Sequence, residues 1–425
     1  MTIPAVFVVL LAIPVLLAGE ALVRRIRLLS RFNIPAPVVG GLLVSVLVLL
    51  WNLSGTAGVH FQTNVAARWW TWLVTPEVEW VKAPSKNVNT PFLVAFFTCI
   101  GLNARWELVR RGGAQVLLFW AGAGALAVMQ NVIGVGLAKL LGVSPLLGLV
   151  CGSVSMTGGH GTALGFAGDL EAAGLPAAAV VGMAAATFGL VCGGLIGGPV
   201  GGRLIRRRDL RPDADAHTHL EASRVGDSGI LSDFRLLAGF GRRFLLHLLL
   251  LLACLKAGAW VSYFIQHTGI TFPVYMGAML LGVTARNLMD WGNRKWADTE
   301  IIDTLSSVSL GIFLAIAMMS LNLMELANTA LPMLIILAVQ VAVVALYARF
   351  LTFRLMGRDF DAAVMAGGHC GFGLGATPNA VANMKALVES FGPAPRAFLV
   401  VPVVGAFLID FVNAVNITAF LNLLK

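Results

Sequence analysis

The sequence contains very little charge for its length. Only 12% of its 425 residues are Asp, Glu, Lys or Arg, whereas an ordinary soluble domain has about a quarter of its residues charged. Tyrosine is also scarce, with three residues beside 24 phenylalanines. The composition excludes a water-soluble globular protein, because 58% of the residues are hydrophobic, the mean hydropathy is +0.85, and apolar runs of about 20 residues recur along the chain.

Paired cysteines and enzyme signatures are absent from the sequence. The five cysteines lie in apolar runs, and none belongs to a CxxC pair or to a zinc-ligand spacing. The sequence also contains no GxSxG, HExxH or phosphate-binding GxxxxGKS/T motif. It therefore predicts a protein that is not an enzyme and has no cofactor or transition metal. Its energy is expected to come from an ion gradient rather than from bound ATP.

The apolar runs predict an all-α integral membrane protein with about ten transmembrane helices in the lipid bilayer. The first run starts at Ile3 with no basic residue before it, so we expect a span there rather than a cleaved signal peptide. The predicted spans are residues 3–23, 34–53, 90–104, 113–141, 177–202, 243–265, 271–288, 305–323, 330–356 and 395–421.

The basic residues predict the orientation of these spans. Most of the 30 lysines and arginines fall in five connecting segments, at residues 24–31, 105–111, 203–243, 286–295 and 349–358. The positive-inside rule places such segments in the cytoplasm and both chain termini on the opposite side. The net charge of +9 therefore has a topological explanation and does not indicate nucleic-acid binding. The polar stretch 203–242 is predicted to be a cytoplasmic linker between the halves 1–202 and 243–425.

The two halves carry matching features in the same order. Residues 34–40 are matched by residues 271–277, and the Gly-Gly-His sequence that ends at His160 is matched by the one that ends at His369. Each half has five predicted spans, and an odd number inverts the second half in the membrane. We therefore expect two inverted-topology repeats. Each repeat is predicted to contain a re-entrant hairpin, at about residues 145–170 and 361–388.

Glycine-rich sequence interrupts each predicted hairpin. The predicted substrate-binding residues are Thr157, Gly158, Gly159, His160, Gly161 and Thr162 in the first hairpin, and Gly368, His369, Gly373, Gly375, Thr377 and Asn379 in the second. Irregular backbone at membrane depth is tolerated only inside protein or beside a water-filled cavity. Broken helices in both halves point to a transporter site, where helix N-termini attract anions and free carbonyls attract cations. The alternatives are that the glycines serve close helix packing and that the histidines fix the hairpin tips.

Asp410 is the strongest single candidate for ion binding. An ionisable group in the middle of the last predicted span is costly, and Asn413 lies on the same helical face. Together with Gln130 and Asn131 they are candidate sodium ligands; the alternative is hydrogen bonding between helices. For Lys256, in the middle of another span, the alternatives are snorkelling, an ion pair and contact with a carboxylate substrate.

Several motifs resemble the bacterial sodium/glutamate symporter family. They are residues 158–162, 186–199, 368–378, 391–393 and 404–407. The resemblance runs over nearly the whole chain. It implies sodium-coupled uptake of L-glutamate across the bacterial cell inner membrane, with periplasmic termini and a substrate and Na+ site between the hairpins. It also implies a homodimer with an elevator-like mechanism. Thr157 stands where the family pattern has Ser, and Asn379 where it has Thr.

Three alternatives to this function stay open at the level of sequence. The first is a sodium- or proton-coupled symporter of another carboxylate. The second is a channel, because paired re-entrant loops also build pores. The third is a membrane enzyme that uses the two histidines, although the sequence offers it neither a nucleophile nor metal ligands.

Overall fold

The chain was analysed as a computed structural model, which describes residues 2–31, 34–53, 58–65, 68–76, 86–212, 230–268, 273–291, 297–321 and 330–424. Much of the predicted linker, residues 213–229, lies outside these ranges. The described chain is mostly helical. Four two-residue strands form two small ladders: Thr2–Ile3 (β1) pairs with His60–Phe61 (β2) in parallel, and Asn64–Val65 (β3) pairs with Lys86–Asn87 (β4) in antiparallel.

The helices are numbered in chain order along the described residues. Those of the N-terminal half are α1 Ala5–Arg25, α2 Arg27–Arg31, α3 Ala36–Leu53, α4 Arg68–Thr71, α5 Thr90–Asn103, α6 Trp106–Leu140, α7 Pro145–Leu149, α8 Gly159–Gly165, α9 Ala167–Ala172 and α10 Ala178–Arg208. The remaining ones are α11 Ile230–Gly239, α12 Arg242–Gln266, α13 Val274–Trp291, α14 Thr299–Met319, α15 Ala330–Tyr347, α16 Phe353–Leu355, α17 Phe360–Phe372, α18 Thr377–Phe391, α19 Pro395–Val403 and α20 Ile409–Leu424. A 3-10 turn covers Trp72–Val74, and π-helical turns cover Val150–Val154, Ala348–Thr352 and Val404–Leu408.

Seven helices among the described residues are long and apolar enough to cross a membrane. They are α1, α3, the part of α6 from Gly113, α10, α12, α14 and the segment Ala330–Leu355. Each coincides with a predicted span, which confirms a multi-pass helical membrane protein. The predicted span 395–421 is divided into α19, a π-helical turn and α20. The total number of spans and the inversion of the halves stay predictions.

The chain forms two compact units. Unit 1 consists of Met1–Ser30, Pro35–Arg105 and Arg224–Met324, and unit 2 of Arg31–Ile34, Trp106–Ser223 and Glu325–Lys425. Each unit combines helices from both halves of the sequence: α5 and α13 belong to unit 1, and α6, α10, α17 and α20 to unit 2. The sequence predicts two repeats, residues 1–202 and 243–425, which is a different division from these compact units. The division into repeats stays a prediction.

Close helix packing builds the core of unit 1. Helix α13 packs against α5 and α12, and α14 packs against α5 and α3. Gly101 of α5 contacts the backbone of Met279 so closely that a β-carbon would collide with the Met279 carbonyl oxygen. The rings of Phe97 and Tyr275 stack with their centroids 4.0 Å apart. Apolar surface and ring contact therefore hold these helices together.

Lys256 binds the tryptophan-containing turn of unit 1. Its ammonium group donates hydrogen bonds to the carbonyls of Trp72 and Thr75, both at 2.9 Å. The same group lies 4.1 Å from the centroid of a Trp72 ring. The 3-10 turn leaves carbonyls without helical partners, and the lysine satisfies two of them. Lys256 thus has a structural role in unit 1.

Candidate functional site

The first broken segment, residues 145–172, interrupts its helix twice. Helix α7 runs into a π-helical turn, in which Gly152 has the non-helical dihedrals φ −88° and ψ −137°. The chain then turns and begins α8 at Gly159, whose φ is +64°. A left-handed φ is accessible to glycine without steric cost, which explains a glycine at this position. The break therefore follows from the local sequence.

The second broken segment, residues 360–391, has a shorter interruption. Helix α17 ends at Phe372, and α18 begins at Thr377 with Pro378 in its first turn. Proline fits the first turn of a helix because the missing N–H has no partner there in any case. The side chain of Asp359 caps the start of α17 by accepting from the Ala362 N–H at 2.9 Å. The sequence thus ends one helix and starts another within four residues.

The two breaks meet inside unit 2. A β-carbon on Gly159 would collide with the carbonyl oxygen of Gly375, so only glycine permits this approach. Gln130 of α6 joins the breaks chemically. Its Oε1 accepts from the Thr157 hydroxyl at 2.6 Å, and its Nε2 donates to the Gly373 carbonyl at 2.8 Å. One buried amide therefore fixes the spacing of both broken segments.

Ser153, in the π-helical turn, is held by three asparagines. Its N–H donates to Asn131 Oδ1 at 2.8 Å, and its carbonyl accepts from Asn413 Nδ2 at 3.0 Å. Its hydroxyl accepts from Asn416 Nδ2 at 3.3 Å. The asparagines come from α6 and α20, so this turn ties the first broken segment to helices of both chain halves. Side-chain amides thus replace the hydrogen bonds that the break removes.

Three amide atoms in this network are buried and have no hydrogen-bond partner among the described residues. They are Asn413 Oδ1, Gln340 Oε1 and Asn131 Nδ2. The other end of the Gln340 amide donates to the Gln130 carbonyl at 2.7 Å. Asp410, one turn before Asn413, is half-buried. Buried polar atoms are almost always paired, so each of these two amide oxygens is an open acceptor for a donor group or a cation.

A row of glycines on α10 packs against the second broken segment. A β-carbon at any of them would come within 3.1 Å of a carbonyl oxygen of that segment. The row consists of Gly189, Gly193, Gly197 and Gly201. Because the four lie one helical turn apart, they form one face on which the backbones are in direct contact.

Two asparagines of α18 reach back to the same face of α10. Asn379 Nδ2 donates to the Leu190 carbonyl at 2.7 Å, and Asn383 Nδ2 donates to the Gly193 carbonyl at 2.9 Å. Both residues are buried. The predicted substrate residue Asn379 therefore contacts a helix. Asn383 was missed by the sequence reasoning, although its position four residues after Asn379 places it on the same helical face.

His160 has a fixed hydrogen-bond role. Its Nε2 lies 3.0 Å from the Thr187 hydroxyl, and that hydroxyl donates to the Met183 carbonyl at 2.9 Å. The hydroxyl proton is thereby occupied, so His160 Nε2 must carry the proton and donate. His160 connects α8 to α10 through this bond.

His369 lies in an aromatic environment instead. Its Nδ1 is 2.8 Å from the Thr352 hydroxyl, while its Nε2 is buried without a partner among the described residues. The ring stacks on Phe372 with centroids 4.8 Å apart, and the Phe119 ring lies 5.0 Å away. The two predicted histidines thus bind different partners, Thr187 and Thr352.

The predicted residues fall into three groups by position. The breaks bring together Thr157, Gly159, Gly373 and Gly375. A second group is partly accessible beside this contact, and it contains Gly158, Gly161 and Thr377, with Ala376 also half-buried there. The third group is buried against neighbouring side chains or helices, and it contains His160, Thr162, Gly368, His369 and Asn379. Accessible backbone therefore lies next to the paired breaks.

Comparison with known proteins gives similarity over nearly the whole chain. A family model described as sodium/glutamate symporter matches residues 1–76 and 70–393. The chain is 41% identical over 414 residues to the sodium/glutamate symporter of Escherichia coli strain K12, covering 96% of this chain and 95% of that protein. The sodium/glutamate symporter of Haemophilus influenzae is 40% identical over 408 residues, covering 95% of this chain and 94% of that protein.

The contact between the breaks gives a testable prediction. Gly159→Ala adds a β-carbon that collides with the Gly375 carbonyl and disfavours the left-handed φ. We expect a loss of about 2–4 kcal/mol in stability, measured as a lower midpoint of thermal unfolding of the purified protein in detergent. Gly136→Ala is the matched control, because a β-carbon there meets nothing within 4 Å. Equal unfolding midpoints for the two variants would contradict the prediction.

Proposed function

The chain belongs to the sodium/glutamate symporter family, and we propose that its two broken segments form the site at which glutamate and sodium bind for transport. As a member of this family it is a multi-pass membrane transporter that couples glutamate to Na+, not an enzyme. The observation that carries the proposal is the meeting of the breaks at Gly159 and Gly375, with Gln130 bonded to both.

The glutamate part of the site lies at the start of α18. This helix has 15 residues, and the first N–H groups of such a helix carry a positive partial charge that attracts a carboxylate. Thr377 is half-buried there, and its hydroxyl donates to the Gly405 carbonyl at 2.5 Å. Because that proton is occupied, the Thr377 N–H rather than the hydroxyl is the donor to the substrate. Gly158 and Gly161 of the first broken segment are also partly accessible.

The sodium part of the site lies at Asn413 and Asp410. Asn413 Oδ1 is a buried oxygen that no described residue donates to, and leaving such an atom unpaired costs about 1–3 kcal/mol. A bound Na+ would remove that cost and take a further oxygen from the Asp410 carboxylate. Gln130 and Asn131, also predicted as ligands, have their side-chain oxygens bonded to Thr157 and Ser153. We assign Gln130 and Asn131 to the frame of the site, meaning the residues that hold the broken segments in position without binding the ion.

The frame also provides the coupling between the two ligands. A cation at Asn413 stabilises the position of Ser153, because the same asparagine donates to the Ser153 carbonyl. Thr157 lies four residues further on and is bonded to Gln130, which holds the Gly373 carbonyl of the second break. Sodium binding therefore favours the arrangement of both breaks that accepts glutamate, which is a coupling free energy in the usual sense.

The division into units supports an elevator-like transport cycle. Both broken segments and all candidate ligands belong to unit 2, so unit 2 is the part that carries the site while unit 1 serves as scaffold and dimer contact. The working unit is a homodimer in the bacterial inner membrane, with periplasmic termini and a cytoplasmic central linker. This transport cycle requires about ten spans in two inverted repeats, and each repeat contains a re-entrant hairpin.

Uptake of labelled glutamate into proteoliposomes tests the function. Sodium gradient, proton gradient and membrane potential are imposed independently. We expect saturable uptake that requires an inward sodium gradient, with other carboxylates competing more weakly than glutamate. Uptake that follows the proton gradient alone, or passage that does not saturate, would overturn the proposal in favour of proton coupling or a channel.

The ion role of Asp410 is tested by Asp410→Asn. The substitution keeps the shape of the side chain but removes its charge. We expect the sodium concentration for half-maximal uptake to rise at least about tenfold, because a charged ligand contributes more than about 1.4 kcal/mol to ion binding. Glu389→Gln, an equivalent change at an exposed carboxylate of α18, is the control. An unchanged sodium dependence of Asp410→Asn rejects the assignment.

Alternating access is tested by Ala376→Cys, next to the contact between the breaks. Cys192, which is half-exposed while the other four cysteines are buried, is first replaced by alanine. Labelling with an impermeant maleimide is measured from each side of the membrane. We expect the rate from one side to rise as the rate from the other falls when sodium and glutamate are varied. Parallel changes from both sides would indicate an open pore.

A further inference from the structure

A basic cavity lies at the end of α10, away from the contact between the breaks. It occupies about 650 Å³ between the last turns of α10 and helix α18, a volume typical of small-molecule sites. Arg203, Arg206 and Arg207 line it from α10, and Leu387 and Phe391 line it from α18. All five belong to unit 2.

The charges in this cavity are not neutralised by the described protein. None of its described lining residues is acidic. Asp209, the carboxylate nearest to these arginines in sequence, pairs instead with Arg211 at 3.5 Å, and Glu389 of α18 is not among the lining residues. The guanidinium group of Arg206 lies 5.6 Å from the Phe391 ring centroid. This contact restricts the orientation of a planar donor group that is suited to bidentate contact with a phosphate.

The walls of the cavity differ in polarity. The arginines supply the polar wall, while Leu387 and Phe391 lie one helical turn apart and supply an apolar wall. Gly198 also lines the cavity, and the space beside it is open, because a β-carbon there would meet nothing within 4 Å. The cavity therefore suits a ligand that carries an anionic phosphate and a hydrocarbon portion, such as the head of an anionic phospholipid.

We propose that this cavity is a binding site for a phosphate-bearing anion, supplied by an anionic phospholipid or by a soluble phosphate ester. The guanidinium groups bind the phosphate, and Leu387 and Phe391 contact the carbon atoms attached to it. An occupied site joins α10 to α18, and so stabilises the contact of the second broken segment with the glycine row. The binding itself does not depend on the transport function.

Native mass spectrometry of the purified full chain in nonionic detergent tests the proposal. The probes are phosphatidylglycerol, phosphatidylcholine and sn-glycerol 3-phosphate. The double variant Arg203→Gln/Arg206→Gln removes two guanidinium groups from the cavity. We expect it to lower phosphatidylglycerol occupancy at least about fivefold, because charge-assisted hydrogen bonds are the strong ones. Loss of glycerol phosphate binding in the same variant would identify the soluble ester as a source of ligand.

The matched control is Arg208→Gln/Arg211→Gln, which removes the same charge from the last residue of α10 and from the segment that follows it. Arg208 lies over the Phe353 ring and Arg211 pairs with Asp209, and neither lines the cavity. We expect less than about a twofold change in this control, consistent with a weak surface charge effect. Equal losses in both double variants would overturn the proposal, as would equal binding of phosphatidylcholine and phosphatidylglycerol to the unmodified chain.

Gly198→Leu provides a second variant that leaves all charges in place. Its side chain enters the open space beside this position in the cavity, so we expect it to lower phosphatidylglycerol occupancy as strongly as the arginine variant. Thermal unfolding establishes that each variant is folded. Undiminished binding in folded Gly198→Leu would contradict the proposed position of the ligand.

Discussion

The architecture of unit 2 depends on one constraint: a helix that breaks inside an apolar environment must find other partners for its backbone N–H and C=O groups. Here those partners are side-chain amides. Asn131 and Asn413 bind the N–H and the carbonyl of Ser153, and Gln130 binds the carbonyl of Gly373. The breaks are stable because each freed backbone group in these contacts has a directed, buried partner. The hydrogen bond from Asn413 to Ser153 also fixes the position of Asn413 Oδ1, to which no described residue donates.

Close backbone approach is the second requirement, and glycine provides it. The row on α10 brings a continuous helix against the carbonyls of a broken one, and Gly159 allows the breaks to touch. The side-chain amides of Gln130, Asn131 and Asn413 then supply hydrogen bonds to the backbone at these close contacts. The result is a region in which most polar groups are satisfied, while Asn413 Oδ1 and Gln340 Oε1 have no hydrogen-bond partner in the part of the chain that the structure describes. Under the proposed function a bound ligand supplies the missing partner, so stability and binding compete at the same residues.

The sequence predicted the location of the breaks but not most of their partners. Glycines and a proline next to histidine and threonine indicate a local interruption of a helix, and the breaks lie within the predicted segments 145–170 and 361–388. The re-entrant course of these segments stays a prediction. Gln130 and Gly373 are 243 residues apart, and no periodicity reports such a pairing. Asn379 illustrates the difference, because a polar residue beside a broken helix indicates a ligand contact, yet the fold turns it towards α10. Nothing in the sequence around Ser153 predicted its hydrogen bonds to three asparagines, because they arise only from the π-helical turn.

The segments of the two units alternate along the sequence, and this order has a consequence for biosynthesis. Residues 106–223 emerge from the ribosome about a hundred residues before 325–425 begin, yet both stretches belong to one compact unit. The Ser153 carbonyl therefore gains its bond from Asn413, close to the end of the chain, only after the rest of unit 2 has been made. Domains that are continuous in sequence fold in the order of their synthesis, and unit 2 lacks that option. Newly made N-terminal helices must persist in the membrane as an incomplete assembly until the last helix arrives.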